Sequence, residues 1–486
     1  MKVPLALCAG GAAAHMPWVE MNRPALMYSN IPTTITAAFV AAVGPKIACT
    51  GYRANSIVRG KTTVATAAAP PPQGAGTELG EDERGRDRQK LAASVEAAVV
   101  AMPRRPKCAV VGGGFAGLAT AYHLAASGSD VTVYDPNEVG TGGASSVAAG
   151  LLHPLTPRGK KIWKGEEGLF DAKELIEVAN AALARTASTA TAAAGSKSCV
   201  TTDRVYRPLM DDKNDETFSK AAIDLPQWVT RLTPEEYAEA VPGANSNCLG
   251  GVHIKGALAV DAQAYLKGLW AACCHVVTAP PQTSREEEAS PGNRGGVAMW
   301  VHEHVDDVHA LAASGEFHAV VACVGPGVKI LPGVKDIVSL RLYVVPTGVN
   351  GAVGNGGKLV VGATQEPILY HDALDKPPDM AKALRYLRPK ISSFFPVLQD
   401  VEPREVTSGI RVIQDRNSYG RIPIAGRLPF SERGWVMAAL GARGLIHHAY
   451  LGRLLAACAL LNTDAHLPPQ VMSPLEDLGK DSTGDL

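Results

Sequence analysis

The chain has 486 residues, 47 basic and 47 acidic side chains, and 46% hydrophobic residues. Such a length suits two or three domains around a large buried core, and the balanced charge disfavours a dedicated nucleic-acid binder. No stretch offers the ~20 uninterrupted apolar residues of a membrane span; the nearest, Ile31 to Val43, is short and holds several Thr and a Pro.

From Met1 to Thr77 the one acidic residue is Glu20, against Lys2, Arg23, Lys46, Arg53, Arg59 and Lys61 in a background of Ala, Thr, Ser and Pro. Acid-poor, hydroxyl-rich and mildly basic is the composition of an organelle transit peptide. A plain disordered tail has it too. The charged run "ELGEDERGRDRQK" follows, so residues 1–105 are expected to be transit peptide and disordered linker.

At Lys107 the pattern changes. "CAVVGGGFAGLATAYHLAASGSDVTVYD" reads as strand, glycine turn, helix, turn and strand. Cys108 to Val111 form the short apolar run of a strand buried on both faces. Phe115, Leu118, Ala119 and Tyr122 recur at helical spacing, and Gly128 sits where a helix C-terminal glycine belongs. Two low-complexity stretches, Thr186 to Ser198 and Ala279 to Gly296, read as surface loops. "FHAVVACVGPG" brings Gly325 to the end of an apolar run, and "KLVVGATQE" reads as another strand with a glycine turn. From Gly409 to Leu461 the order is strand, loop, strand, glycine turn and long helix. The nine cysteines form no C-x-x-C pair, which fits small core residues in a reducing compartment.

Gly112, Gly114 and Gly117 make a G-x-G-x-x-G turn between strand and helix, and Asp135 ends the next strand 18 residues after Gly117. The first glycine permits the tight turn, the second the approach of a pyrophosphate, and the third close helix–strand packing. The helix start offers free N–H groups and positive dipole to phosphates. Asp135 accepts from a ribose 2′-OH, which disfavours NADP. The motif alone does not separate NAD from FAD. The small and hydroxyl residues of "GGASSVAAGLLHP" suit backbone running along an extended cofactor, with Ser145 and Ser146 donating to phosphate oxygens. A second glycine turn and helix start, Gly441 to Leu445, lies far along the chain. A cofactor touched by both must be long, which points to FAD.

These pieces, with "VVACVGPG", "VVGATQE", "SGIRVIQDRNSYGRIPIAG" and "ALGARGL", resemble the D-amino-acid-oxidase-like superfamily of FAD-dependent oxidoreductases, which includes glycine and sarcosine oxidases. The resemblance covers most of Lys107 to Leu461. "LGARGL" is most similar to the flavin module of the enzyme that matures 5-methylaminomethyl-2-thiouridine in tRNA, and "GASSVAAGLLHP" behind a transit peptide looks like plastid members of plants and algae. It implies an α/β fold, a Rossmann-like βαβ FAD-binding domain with an inserted, mostly antiparallel substrate sheet. The expected division is 106–215, 279–334 and 405–465 for the FAD domain, 216–278 and 335–404 for the substrate domain, and 466–486 as a tail. It implies Gly112, Gly114, Phe115, Ala116 and Gly117 at the pyrophosphate, Asp135 at the ribose, and Ser145 and Ser146 at phosphate. Ala149, Gly150 and Leu151 should lie along the flavin, Val205 at the adenine, Gly325 near the pyrophosphate, and Gly441, Ala442, Arg443, Gly444 and Leu445 at the flavin ring. A plastid address follows from the same likeness.

The implied reaction is oxidation of a C–N bond of an amine or amino acid by hydride transfer to flavin, with O2 the expected electron acceptor. The cofactor carries the hard chemistry and the protein supplies orientation and electrostatics. A substrate carboxylate calls for an arginine fork, and Arg411 matches the position where amino-acid-oxidising relatives hold it. Tyr343 and His153 are further substrate-site residues. Relatives carry R-G-Q near Tyr343, whereas here Leu342 follows Arg341. Arg158, Lys160, Lys161 and Lys164 around Trp163 form a basic cluster suited to a phosphorylated or polynucleotide substrate, or a solvated loop. A tRNA wobble base is a possible, less favoured substrate, and a non-catalytic flavin-binding role is the third alternative. His302, His304 and His309 match no metal-site spacing, and no metal is expected.

Overall fold

A computed structural model describes residues 39–40, 81–187, 198–278, 296–349, 361–362, 364, 366–368, 379–400, 403–417, 419–429 and 431–481. The acid-poor N-terminal segment, apart from two residues, and most of the two low-complexity stretches lie outside these.

Strand β1 (Lys107–Val111) is buried from its second residue on, and its side chains alternate between two cores. Cys108 and Val110 face the helical layer; Ala109 and Val111 face the opposite cluster with Val320, Val436 and Leu340. Helix α1 (Glu81–Val100) precedes this strand, and helix α2 (Phe115–Ala126) leads to its parallel neighbour β2 (Asp130–Tyr134). Around this pair the sheet runs, in spatial order, 298–301, β2, β1, 319–322, 434–438 and 424–427; the first five strands are parallel and the last antiparallel. This is the expected α/β architecture. A second sheet is antiparallel and pairs Val338–Val349 with Pro403–Gln414 and Glu366–Ile368. Two small antiparallel sheets lie between them in sequence.

The helix Gly444–Leu461 is apolar on all sides, so it belongs inside the protein. By length and composition the stretch Gly441–Leu461 could cross a bilayer, but 78% of its most apolar window is buried in the fold. Gly452 lets it close on α2, since a Cβ there would lie 3.1 Å from that of Ala119. Gly168, in the helix Gly165–Ala187, would place a Cβ 2.0 Å from the Ile446 carbonyl oxygen. The helix Ala262–Thr278, within the segment expected to serve the substrate domain, packs against α2 and Gly165–Ala187 in this same layer.

Two terminal segments depart from expectation. Glu81–Val100 is a helix, not disordered linker. Leu91, Val95 and Val99 recur every four residues and pack on the core, with Val95 3% exposed. Arg88 pairs with Asp171 at 3.2 Å and with Glu174, and Asp171 also accepts from Arg453 at 2.9 Å. Pro469–Asp481, expected as a tail, is a helix that buries Val471 and Leu475 against the strand 424–427.

Candidate FAD and amine site

The turn after β1 is shaped by backbone crowding. Gly112 has φ +105°, and a Cβ there would meet the Cys323 carbonyl oxygen at 2.4 Å. At Gly117 a Cβ would meet the Gly112 carbonyl oxygen at 1.8 Å. Gly114 caps α2 in extended conformation, and the nearest atom to its missing Cβ is the Ser145 hydroxyl at 2.9 Å. That hydroxyl accepts from the Phe115 N–H at 3.1 Å. Its own proton stays available for a phosphate oxygen. The first turn of α2, Phe115 to Gly117, holds no acidic side chain, so Ala116 N–H and the helix dipole would favour an anion placed before it. Ser146 is 6% exposed and its hydroxyl donates to Gly143 O at 3.0 Å, within its own turn.

Asp135 accepts from Gly113 N at 2.7 Å, Asn137 N at 2.9 Å and Asn137 Nδ2 at 3.0 Å. These bonds fix the carboxylate beside the glycine turn and leave lone pairs for a ribose hydroxyl. The neighbouring strand Ala298–Val301 completes this end. Val301 O accepts from Asp135 N at 3.1 Å, and the Trp300 indole donates to Asn137 O at 3.1 Å. Trp300 also lies against Gly113, where a Cβ would meet its ring at 2.1 Å. Sequence reasoning missed these two residues; the strand-like "AMWV" before the histidines was the signal. Val205 is buried with Leu155, Leu209, Phe218 and Val252. Gly325 takes φ +51° in the turn that follows Cys323.

At the other end, Gly150 has φ +72° and passes so close to Val260 that a Cβ would lie 1.7 Å from its carbonyl oxygen. It separates Ala149 from Leu151, which pairs with Ala259. Gly441 has φ +57°, with Ile413 Cγ2 3.0 Å from a Cβ position. Ala442 is exposed, and Arg443 donates to Arg421 O at 3.3 Å. Gly444 begins its helix at φ −53°, and a Cβ there would make ordinary contact with the Phe115 ring at 3.7 Å. Leu445, 6% exposed, joins the same cluster as Phe115. The two glycines therefore differ. Gly441→Ala is expected to cost the apoprotein about 1–2 kcal/mol of left-handed backbone strain. Gly444→Ala should leave stability within about 1 kcal/mol, since alanine suits a helix better than glycine. Urea unfolding of the two apoproteins compares them, and equal losses contradict the distinction.

His153 is partly buried, and its Nδ1 accepts from Leu155 N at 3.2 Å. Burial first, then Arg207 and Arg443, push its pKa down to about 4. At neutral pH it is uncharged with its proton on Nε2, by inference from that bond, so that nitrogen donates. His447 and His448 are fully buried and serve different neighbours. The His448 Nε2 meets Tyr265 OH at 2.7 Å, whereas His447 lies 5.8 Å from the Trp163 ring and neither of its nitrogens has a partner among the described residues. Burial pushes them to about 4 and about 3 respectively. Arg411 stands directly opposite Arg341 across the long antiparallel pair, and Tyr343 opposite Gly409. In the loop before the helix Gly165–Ala187, Lys161 pairs with Glu166 at 3.0 Å and Lys164 with Glu167 at 2.7 Å. His304 pairs with Asp306, His302 lies 3.8 Å from Glu138, and His309 meets Pro429 O.

Residues 107–458 match the model of the DAO family, described as FAD dependent oxidoreductase. The chain belongs to this family. Its cofactor is accordingly FAD, and the glycine cradle, Ser145 and Asp135 fit the phosphates and ribose of that group. An uncharacterized oxidoreductase, YurR, of Bacillus subtilis is 26% identical over 74% of this chain and 96% of its own length. Glycine oxidase of Bacillus licheniformis is 24% identical over 74% of this chain and 95% of its own. Among solved structures, glycine oxidase from Geobacillus kaustophilus has a TM-score of 0.56 at 20% identity, covering 74% of this chain and 96% of that one. Iminodiacetate oxidase from Chelativorans has 0.53 at 18%, covering 74% and 97%. These last two likenesses concern the fold.

Proposed function

We propose that this family member oxidises a C–N bond of a small amine or amino acid, with O2 as electron acceptor. One observation carries the reading: the two glycine turns meet across Phe115. Its N–H lies in the phosphate cradle at Ser145, and its ring stands 3.7 Å from the Cβ position of Gly444. An FAD seated in that cradle would extend toward the helix start behind Gly441. FAD supplies two-electron acceptance there. The chain supplies the rest. The start of the helix Gly444–Leu461 has no acidic residue in its first turn and favours negative charge in front of it. Arg443 and Arg411 offer cations for a substrate carboxylate, and neutral His153 a fixed N–H donor. Kinship with a protein named glycine oxidase supports an amino-acid substrate. The tied lysines at Glu166 and Glu167 leave less free charge for a tRNA. The acid-poor N-terminal segment supports delivery to an organelle, and the likeness of "GASSVAAGLLHP" to plastid members favours a plastid.

The test is anaerobic mixing of FAD-loaded protein with a panel of amines, amino acids and tRNA nucleosides. Bleaching of the flavin band by one or more of the small amines is expected. Failure of every amine, with bleaching by dithionite intact, sinks the reading.

A further inference from the structure

The geometry points to a substrate that carries a second anionic group, a carboxylate or a phosphate, beyond the one an amino acid needs. This deepens the amine-oxidising reading above and rests on it. The observation is a set of arginines on the strand Pro403–Gln414, the hairpin behind it and the glycine turn at Gly441, with Arg416 and Arg421 exposed and their charges felt at Arg443.

The strand Pro403–Gln414 alternates its faces. Val412 and its cross-strand partner Leu340 point into the core cluster with Val436 and Ala438. Arg411 and Ile413 therefore point the other way, and Ile413 is the residue that meets Gly441. Arg341 lies directly opposite Arg411 and shares its face. Beyond the strand the chain makes a tight hairpin in which Asn417 and Gly420 exchange backbone bonds at 2.9 and 3.0 Å. Arg416 and Arg421 flank that turn. Arg443 then donates to the Arg421 carbonyl, which ties the hairpin to the glycine turn. Burial, followed by the charges of Arg416 and Arg421, presses the Arg443 guanidinium below its ordinary pKa. His153 feels the charges of both Arg207 and Arg443.

Like charges held together cost stability unless an anion joins them. Among the described residues, Arg416, Arg421 and Arg443 form no ion pair with a carboxylate. Arg207 feels Asp211 and lies 4.8 Å over the Phe218 ring. Asp415, next to Arg416, is exposed. The cofactor phosphates do not explain the cluster, since the turn Gly112 to Gly117 and Ser145 already provide for them. One carboxylate takes one arginine fork. The hairpin arginines and Arg443 exceed that requirement and suit a dianion.

The test uses the FAD-loaded protein and two variants, Arg416→Gln and the double variant Arg416→Gln/Arg421→Gln. Acetate, malonate and phosphonoacetate are titrated at low salt while the flavin spectrum is followed. Malonate or phosphonoacetate should bind at least ~10-fold tighter than acetate, and whichever is tighter identifies the second group. In the double variant that ratio should fall at least ~5-fold, with a smaller fall in the single variant. Equal affinities for acetate and both dianions overturn the proposal, and so does an unchanged ratio in the double variant. Loss of bound FAD from either variant also overturns it, by returning the arginines to the cofactor. Oxidation is then compared for glycine, N-carboxymethylglycine and N-phosphonomethylglycine. Bleaching by glycine as fast as by the dianions leaves amine oxidation standing and removes the dianion preference. No bleaching by any amine removes amine oxidation itself, whatever the binding ratios.

Discussion

Replacing Gly117 with valine is expected to yield protein that neither retains FAD nor reaches the native stability. The missing Cβ position is 1.8 Å from the Gly112 carbonyl oxygen and 3.3 Å from Val110 Cγ1. The first obstacle is backbone, so no rotamer change relieves it. Helix α2 would have to lift from β1. Leu118, Ala121 and Leu124, all fully buried, would lose packing on the sheet and on the helix Gly444–Leu461. Overpacking of this kind costs roughly 1–3 kcal/mol where a core can adjust, and a backbone obstacle places Gly117 at or above the upper end. The lifted helix would also carry the Phe115 N–H away from Ser145, so the phosphate cradle fails together with the fold. Gly114→Ala makes the informative contrast. Its added methyl meets the Ser145 hydroxyl, the movable end of a side chain. That variant should fold and bind FAD more weakly. Urea midpoints and the flavin absorbance of purified protein measure both effects. A Gly117→Val protein that is as stable and as yellow as wild type contradicts the close-packing role.

The βαβ unit was legible because its signals are local. Apolar runs gave β1 and β2, helical spacing gave α2, and Gly112 and Gly117 stand where backbone touches backbone. Asp135 followed from its place at the end of a strand. The strand beside Asp135 was not legible. Val301 reaches Asp135, and Trp300 reaches Asn137 and Gly113, through a parallel pairing of strands more than 160 residues apart, and only topology supplies those neighbours. The helix Glu81–Val100 was hidden by its charged first half. What holds it, Arg88 on Asp171 with Arg453 on the same carboxylate, joins three distant segments. The paired histidines were legible in one respect. Neighbours on a helix point about 100° apart, which already argued against one shared site. Their partners, Tyr265 for one and none for the other, required the packed interior. Arg411 was picked out singly, while the register that sets it against Arg341 and the hairpin that brings Arg416 and Arg421 to Arg443 are properties of the folded sheet.

Acidification from pH 7 toward pH 5 is expected to strip stability steeply from the apoprotein. His447 and His448 are fully buried, with pKa values pushed down to about 3 and about 4, chiefly by burial. His123, pushed to about 3, and His153, pushed to about 4, add to the effect. In the unfolded chain a histidine titrates near ~6.5. Between that value and the folded one the unfolded state binds a proton that the folded state refuses, so stability rises with pH across the window. It is fully present above about pH 6.5 and is lost progressively as pH falls to about 4 and then 3. Each fully buried histidine contributes a slope approaching about 1.4 kcal/mol per pH unit near pH 5. The pair therefore removes roughly 3 kcal/mol per unit there, a large share of the ~5–15 kcal/mol that holds a domain together. Substitution separates the two. His447→Leu removes one refused proton and a ring with no hydrogen-bond partner, so it should flatten the slope and preserve or raise stability at pH 7. His448→Leu should flatten the slope equally but cost about 1–3 kcal/mol at pH 7, because it strands the buried Tyr265 hydroxyl. Urea unfolding at pH 5, 6 and 7 reads all three proteins, and a wild-type midpoint that stays level from pH 7 to pH 5 removes the basis for buried neutral imidazoles in this core.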